Sequence, residues 1–193
     1  MPRWEHGSEE RLKQAAMELF EEQGFEATSA VQIAQRARVT TRTFFRYFAD
    51  QEEILFADAE KLSAALVEQV RQAPDVGEPL RAVTGALAGF DWESLGPREV
   101  QRRREAMIAA NPQLLERDLI KQQQMADGFA QALHGRGVDP ATAELAAAVG
   151  VQVFRLAYRQ WLADGDTADL PTMTEAVLSR LATIVPGVSR AAA

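Results

Sequence analysis

The sequence predicts an all-α fold of about nine helices, in which a small N-terminal head precedes a larger helical body. Apolar residues recur three and four positions apart along nearly the whole chain, and no sustained run alternates with period two. Each separator between the later predicted helices contains Gly or Pro. We therefore place a three-helix head at residues 1–48 and a helical bundle at residues 49–193.

The first two helices of the head have clear end signals. Ser8 is a good N-cap for a first helix that ends at Gly24. Ser29 and Gln32 have the spacing of a capping box, which predicts a second helix of about two turns.

The third helix of the head is also short and is capped by Thr40. Phe44 and Phe48 lie on one side of it, because residues four apart share a helix face, and we expect both in the core. Asp50 then begins a long helix to about Gln72. Five further helices are expected at about 79–90, 97–109, 112–134, 140–164 and 171–185.

The charge of the chain is unevenly distributed. The net charge is −7, which by itself argues against a nucleic-acid partner. Residues 27–49 nevertheless contain four arginines and no acid. A basic patch therefore lies in the head of an otherwise acidic protein.

The second and third helices have the arrangement of a helix-turn-helix, whose second helix enters the DNA major groove. Thr41, Arg42 and Thr43 form the first turn of that helix, where side chains come closest to base edges. Arginine can bind guanine with two hydrogen bonds, and a threonine methyl can contact thymine. Arg46 lies one turn beyond Arg42 and faces the same way.

Several segments between residues 8 and 55 together resemble the DNA-binding head of the tetracycline-repressor (TetR) family. They are Ala-Met-Glu-Leu-Phe at 16–20, Gly-Phe-Glu-Ala-Thr-Ser at 24–29, Ile-Ala at 33–34, Val-Thr at 39–40, Thr-Phe-Phe-Arg-Tyr-Phe at 43–48 and Glu-Glu-Ile-Leu at 52–55. The resemblance implies an all-helical homodimer that binds a palindromic DNA operator. It also implies that a small-molecule inducer bound in the body releases the DNA.

The resemblance also implies roles for individual head residues. Thr41, Arg42 and Phe45 would read bases, and Thr28, Thr43 and Tyr47 would mainly contact phosphate. The complete expected DNA-binding set is Thr28, Ser29, Thr41, Arg42, Thr43, Phe45, Arg46 and Tyr47.

Several positions depart from the pattern of the family, among them Phe45, where many members have Tyr, and Ala30 and Val31, where a charged residue is common. Arg38 stands where many members have Gly in the turn, so either Arg38 takes a left-handed conformation at some cost or the turn differs. Gln51 stands where many have a phosphate-contacting Lys, which weakens one charge contact.

The last two helices are candidates for a dimer interface. The segment 141–163 is apolar around most of its circumference, and a helix of that kind is buried on all sides. The resemblance to the family places a dimer four-helix bundle at the same two helices. The expected interface residues are Val149, Val153, Val177, Leu178, Leu181 and Ile184.

The body is also the expected site of a small apolar or amphipathic effector, because ligand sites in bundles are apolar cavities with a few polar anchors. A weaker resemblance of residues 102–161 to members with acyl-CoA-like ligand domains rests on an arginine-rich helix, Asn-Pro-Gln-Leu at 111–114 and Trp161. The candidate pocket residues are Phe90, Trp92, Arg104, Met107, Gln123, Met125, Phe129, Phe154, Tyr158 and Trp161.

Other functional classes have less support. The sequence has no Gly-rich phosphate loop, no nucleophile elbow and no cysteine, and its two histidines are far apart, so we expect neither an enzyme nor a bound metal or cofactor. A helical adaptor without specific DNA binding and a transcriptional activator on the same fold remain alternatives. No run approaches the length of a membrane span, so we expect a cytoplasmic protein with no membrane partner.

Overall fold

A computed structural model of the protein describes residues 6–164 and 168–184. The described residues form nine α-helices and two short 3-10 helices and contain no strand, which confirms the predicted fold class. The α-helices are α1 (His6–Gln23), α2 (Ala30–Arg36), α3 (Thr41–Tyr47), α4 (Ala59–Gln72), α5 (Pro79–Ala88), α6 (Arg98–Ala110), α7 (Pro112–Gly135), α8 (Pro140–Ala163) and α9 (Leu170–Ile184). The 3-10 helices are Glu53–Leu55 and Trp92–Leu95.

The chain divides into two compact units between Glu60 and Lys61, within the first turn of α4. The first unit contains α1, α2, α3 and the 3-10 helix Glu53–Leu55, which packs against α1. The second unit contains the rest of α4 and α5 to α9. The boundary drawn from the sequence at residue 48 stays a prediction of where the DNA-binding segment ends.

The caps expected in the head are present. The Ser29 amide donates to Gln32 Oε1 at 2.8 Å, and the Gln32 amide donates to Ser29 Oγ at 3.3 Å. This reciprocal capping box satisfies two amides that no helical carbonyl can reach. Thr40 caps α3 in the same way, since its Oγ1 accepts from the Thr43 amide at 3.1 Å.

The turn between α2 and α3 places Arg38 in the left-handed region, with a φ of 56°. The Val39 amide donates to the Ala34 carbonyl at 2.9 Å and the Arg38 amide to the Gln35 carbonyl at 3.1 Å. These two bonds form a Schellman motif, which usually has Gly at the left-handed position. Of the two expectations for Arg38, the structure shows the strained one.

The helix expected over residues 50–72 is interrupted, which corrects the prediction. Asp50 caps the 3-10 helix Glu53–Leu55, accepting a backbone amide of that helix at 2.7 Å, and α4 begins only at residue 59. Residues 54–56 are apolar and all three are buried. Three successive residues cannot share one face of a straight α-helix, so the interruption allows all of them to face the core.

Helix α8 is central to the second unit and packs against α5, α6, α7 and α9. Most of its buried positions in the N-terminal half are small. They are Ala143, Ala146, Ala147 and Gly150. A Cβ atom at Gly150 would lie 2.7 Å from Cγ1 of Val83 on α5, which is closer than such atoms approach in proteins. Gly150 therefore determines how closely α5 and α8 can pack.

We predict that Gly150→Ala lowers the free energy of unfolding by about 1–3 kcal/mol, because the added methyl overlaps Val83 in a close-packed core. Gly85→Ala is the matched control. A Cβ at Gly85 would meet no atom within 4 Å, so the substitution should raise stability by up to about 1 kcal/mol through helix propensity alone. Urea unfolding measures both changes, and an equal effect of the two variants would contradict the packing argument.

We also predict that Arg38→Gly stabilises the head by about 0.5–1 kcal/mol. Glycine has no Cβ penalty at positive φ, and the gain exceeds the added entropy of the unfolded chain. Arg42→Gly, inside α3, should instead destabilise by about 1 kcal/mol, because Gly is a poor helix residue. The shift in the urea midpoint measures the change in stability of each variant. A loss of stability in Arg38→Gly would show that the turn is not strained.

Candidate nucleic-acid interface and ligand-binding body

Helix α3 buries one face and exposes the other. Phe44 and Phe48 are 0% and 2% exposed, with ring centroids 5.5 Å apart, as the sequence predicts. Arg42, Phe45 and Arg46 lie on the exposed face. Phe45 leaves 56% of its surface in solvent, so this basic face also offers apolar area for contact with another molecule.

The threonines and Tyr47 of α3 have internal partners. The Thr40 and Thr43 hydroxyls lie 2.9 Å apart, so Thr43 belongs to the cap of the helix, and Thr41 beside them is half-buried. Arg46 Nη2 donates to the Tyr47 hydroxyl at 3.0 Å, and its guanidinium carbon lies 4.9 Å from the centre of the Tyr47 ring. The tyrosine therefore orients the Arg46 guanidinium.

The two predicted DNA contacts near the start of α2 differ in exposure. Ser29 is exposed, whereas Thr28 is only 3% exposed. The Thr28 hydroxyl donates to the Gly24 carbonyl at 2.8 Å and accepts from Gln23 Nε2 at 3.1 Å. The Thr28 side chain thus holds the α1–α2 turn, and its contact with phosphate stays a prediction.

Arg36 is tied to α1 by a two-pronged ion pair. Its Nη1 and Nη2 donate to the two carboxylate oxygens of Glu22 at 2.9 and 2.6 Å, and Nη1 reaches Glu18 at 3.3 Å. These hydrogen bonds lower the pKa of the Glu22 carboxyl. Arg36 therefore adds little free charge to the basic patch.

The other three arginines of the patch differ from Arg36. Arg38, Arg42 and Arg46 are exposed, and none of them pairs with a carboxylate among the described residues. Their unpaired charge makes the exposed face of α3 and the preceding turn basic.

Five of the residues predicted to line a pocket form one aromatic cluster in the body. The Trp92 ring centre lies 5.2 Å from Phe90, 5.0 Å from Phe154 and 5.1 Å from Tyr158. Trp161 continues the cluster at 5.7 Å from Tyr158. Contacts at these distances fill the space between the rings.

The polar groups of this aromatic cluster have partners as well. Trp92 Nε1 donates to the Leu87 carbonyl at 2.7 Å, and the Tyr158 hydroxyl donates to Gln101 Oε1. Gln101, which the sequence analysis missed, is 6% exposed and donates at 2.7 Å to the carbonyls of Trp92 and Gly96. Burial raises the pKa of Tyr158, so its hydroxyl stays protonated. The aromatic cluster is packed core in this structure.

The remaining predicted pocket residues are dispersed. Phe129 is fully buried in the core, and Met125 packs against it from a partly buried position. Gln123 is exposed, Met107 is half-buried, and Arg104 forms an ion pair with Glu105 at 3.5 Å. Phe129 and Met125 thus share one hydrophobic core with the aromatic cluster, whereas Gln123, Met107 and Arg104 lie outside that core.

An open cleft of about 300 Å³ lies instead between α6, α7 and the C-terminal half of α8. Its lining combines aliphatic and charged side chains. The lining residues are Arg102, Glu105, Ala106, Ile108, Ala109, Leu115, Arg155, Arg159, Leu162 and Ala163.

A charged cluster is built into one wall of this cleft. Asp118 is 8% exposed, and its Oδ2 accepts from Arg155 at 3.0 Å and from Gln122 at 2.6 Å. Burial raises the pKa of the Glu105 carboxyl, although Arg104 and Arg155 act in the opposite direction. A deeply placed acid and a buried ion pair are costly, and such groups often mark functional sites.

The predicted interface residues divide into three sets by burial. Val153 and Val177 are 6% and 5% exposed and belong to the core of the protomer itself. Ile184 is 76% exposed. The other three, Val149, Leu178 and Leu181, are partly buried.

One face of α8 is apolar and uncovered. Leu145 is 67% exposed and Leu156 is 40% exposed. They lie on the same face as Val149, because Leu145 is about one helical turn before it and Leu156 about two turns after it. Neither leucine was among the predicted interface residues, although both continue the apolar pattern of the helix.

The described segments 6–164 and 168–184 include no group of three or more His, Asp or Glu side chains suited to a metal ion. None of their helices combines the length and the apolar character needed to cross a membrane.

Comparisons with known proteins agree with this architecture. Residues 12–57 match the family described as bacterial regulatory proteins, tetR family, and residues 77–186 match the MftR C-terminal domain. The HTH-type transcriptional regulator TcmR of Streptomyces glaucescens is 30% identical over 187 residues, covering 92% of this chain and 82% of TcmR.

Two solved structures show the same fold. NalD of Pseudomonas aeruginosa, the secondary repressor of the MexAB-OprM multidrug efflux pump, is 20% identical with a TM-score of 0.62, covering 92% of this chain and 96% of NalD. SmeT, the repressor of the Stenotrophomonas maltophilia efflux pump SmeDEF, is 17% identical with a TM-score of 0.58, covering 93% and 94%. The helix-turn-helix head, the helical body and the two family matches together show that the chain belongs to the TetR family of DNA-binding transcriptional regulators.

Proposed function

We propose that the protein is a transcriptional repressor that binds a palindromic operator as a homodimer and leaves it when a small ligand binds the body. The observation that carries the proposal is the two-sided α3, which is anchored by Phe44 and Phe48 and exposes Arg42, Phe45 and Arg46. Repression follows where the bound dimer occupies a promoter, and NalD and SmeT are both named as repressors.

Within α3 we assign base reading to Thr41, Arg42 and Phe45. Arg42 is exposed and unpaired in the first turn, so its two-pronged donor set is available to a guanine. Arg46, held over Tyr47, is placed to contact either a base or a phosphate. Ser29 and the exposed amides at the start of α2 are proposed phosphate contacts.

We predict that Arg42→Ala lowers affinity for an operator selected from random duplexes by ten- to a hundredfold, because one base contact of this kind contributes about 1–3 kcal/mol. Arg71→Ala is the control, since Arg71 is equally exposed but lies in the other unit of the chain. Fluorescence anisotropy with labelled operator measures both.

The salt dependence of the same titrations separates a DNA-binding protein from a helical adaptor. Phosphate neutralisation gives a steep fall of affinity with salt, and the Arg42 variant should keep most of that slope while losing sequence preference. Unchanged operator affinity in Arg42→Ala would remove α3 as the reading helix. If the wild type shows no salt-sensitive DNA binding, the proposed function is wrong.

For the homodimer we propose an interface on α8 and α9. On α8 it comprises Leu145, Val149 and Leu156, and on α9 it comprises Leu181 and Ile184; Leu145, Leu156 and Ile184 are exposed. Uncovered leucines at this density are typical of a subunit interface, and a two-fold dimer matches a two-fold operator. Val153 and Val177 support the proposed interface from inside the protomer.

We predict that Leu145→Asp produces monomers, because a dimer would have to bury an unpaired carboxylate. The control is Leu119→Asp on α7, where Leu119 is 54% exposed and lies outside the proposed interface. Sedimentation equilibrium gives the mass of each. A Leu145→Asp protein of dimeric mass would place the interface elsewhere.

The proposed effector is a small apolar or amphipathic molecule bound in the second unit. Support comes from the cleft between α6, α7 and α8, which combines aliphatic lining with a few charged groups, as ligand sites usually do. We further propose that the protein acts in the cytoplasm, where operator DNA is found.

A further inference from the structure

Helix α8 presents two chemically different faces in its C-terminal half. Phe154, Tyr158 and Trp161 belong to the closed aromatic cluster. Arg155 and Arg159 line the open cleft on the side of α6 and α7. They directly follow Phe154 and Tyr158 in the chain. The space that a ligand can enter is therefore lined by the arginine face, whereas the pocket expected from the sequence combines aromatic residues with Arg104, Met107, Gln123 and Met125.

The charges that line the cleft favour an anion. Three arginines and one glutamate are charged groups of the lining. Arg102 is paired with Glu99 and Arg155 with buried Asp118, whereas Arg159 has no hydrogen bond or ion pair among the described residues. Arg159 is exposed, so the N–H donors of its guanidinium are available to a ligand in the cleft.

The acid in the lining opposes an anion less than its formal charge suggests. Glu105 is deeply placed, and burial raises its pKa because the ionised form is poorly solvated there. The groups that face it are Arg104 on α6, Asp118 on α7, and Arg155 and Arg159 on α8.

The rest of the lining is aliphatic. Ile108, Leu115 and Leu162 lie beside three alanines, so the cleft offers apolar area next to its arginines. Leu115 also lines an open groove along α7 with Leu119 and Ile120, which are 54% and 52% exposed. An apolar group that extends out of the cleft would cover these side chains.

We propose that this cleft binds an amphipathic monocarboxylate, whose carboxylate pairs with Arg159 and whose apolar part lies against the aliphatic lining. A volume of about 300 Å³ corresponds to the space of about ten water molecules, so the ligand has a compact apolar part of similar size. The proposal deepens the proposed function by naming the effector class, and it rests on that function only for the effect on DNA.

The test compares three probes that differ in the head group. Calorimetric titration of the full chain uses 4-phenylbutanoate, 4-phenylbutan-1-ol and 4-phenylbutylammonium, which share the same apolar part. The carboxylate should bind at least tenfold more tightly than the other two, because only it can form a charge-assisted pair with an arginine. Equal affinities for the three, or no binding of the carboxylate at millimolar concentration, would overturn the proposal.

Variants locate the binding. Arg159→Ala should weaken carboxylate binding about tenfold and leave binding of the alcohol unchanged, since the exposed side chain supplies charge and no core packing. Arg71→Ala, outside the cleft, is the control and should leave all affinities unchanged. Ala109→Trp should fill the cleft and abolish binding. If the affinity for the carboxylate is unchanged in both Arg159→Ala and Ala109→Trp, the carboxylate binds elsewhere.

The titrations contain no DNA, so they are independent of operator binding. If the carboxylate binds with these requirements but leaves operator affinity unchanged, the ligand site is established and its role as effector is wrong. If the protein does not bind DNA at all, the proposed function is wrong. The ligand titrations still show whether the cleft binds the carboxylate.

Discussion

The close approach of α5 and α8 at Gly150 is the constraint on which the second unit depends. The backbone of Gly150 lies so near Val83 that one methyl group would overlap it. A stripe of buried alanines continues the narrow contact along α8 and lets α7 and α9 pack on it as well. Small residues bury little area individually, so the stability of this centre comes from dense packing among many backbone-near contacts.

Helix α8 uses the small residues of its N-terminal half for packing and carries its aromatic and arginine faces in its C-terminal half. Its uncovered leucines are divided between the halves, since Leu145 lies in the first and Leu156 in the second. Occupation of the cleft would change the surroundings of Arg155, which is bonded to Asp118 on α7. A ligand can shift a conformational equilibrium only through such differential contacts, and this ion pair joins two of the three helices that line the cleft.

Local signals in the sequence were sufficient for the head but not for the body. The Ser29 capping box, the Thr40 cap and the buried Phe44 and Phe48 depend on residues within one or two turns, so their spacing predicts them. The interruption after Asp50 was missed, because a continuous apolar pattern does not show that three successive side chains must all be buried.

The body depends on contacts between distant segments, which periodicity does not reveal. Gln101 joins Trp92, Gly96 and Tyr158 and closes the aromatic cluster, although no motif distinguishes it from the arginines that follow it. The aromatic residues were correctly expected to cluster, but the same clustering fills the space that a ligand would need. The arginines of α8 had the clearer chemical signal for a ligand, since their charge is difficult to explain by packing alone.

The basic patch of the head illustrates how structure redistributes charge. Arg36 pairs with Glu22 between α1 and α2. Of the four guanidiniums in residues 27–49, three therefore have no carboxylate partner among the described residues. One of these belongs to Arg38, which occupies a left-handed position that glycine would fill at lower cost. Arg38, Arg42 and Arg46 therefore give this turn and α3 a local positive charge within an otherwise acidic protein, and such a charge attracts phosphate.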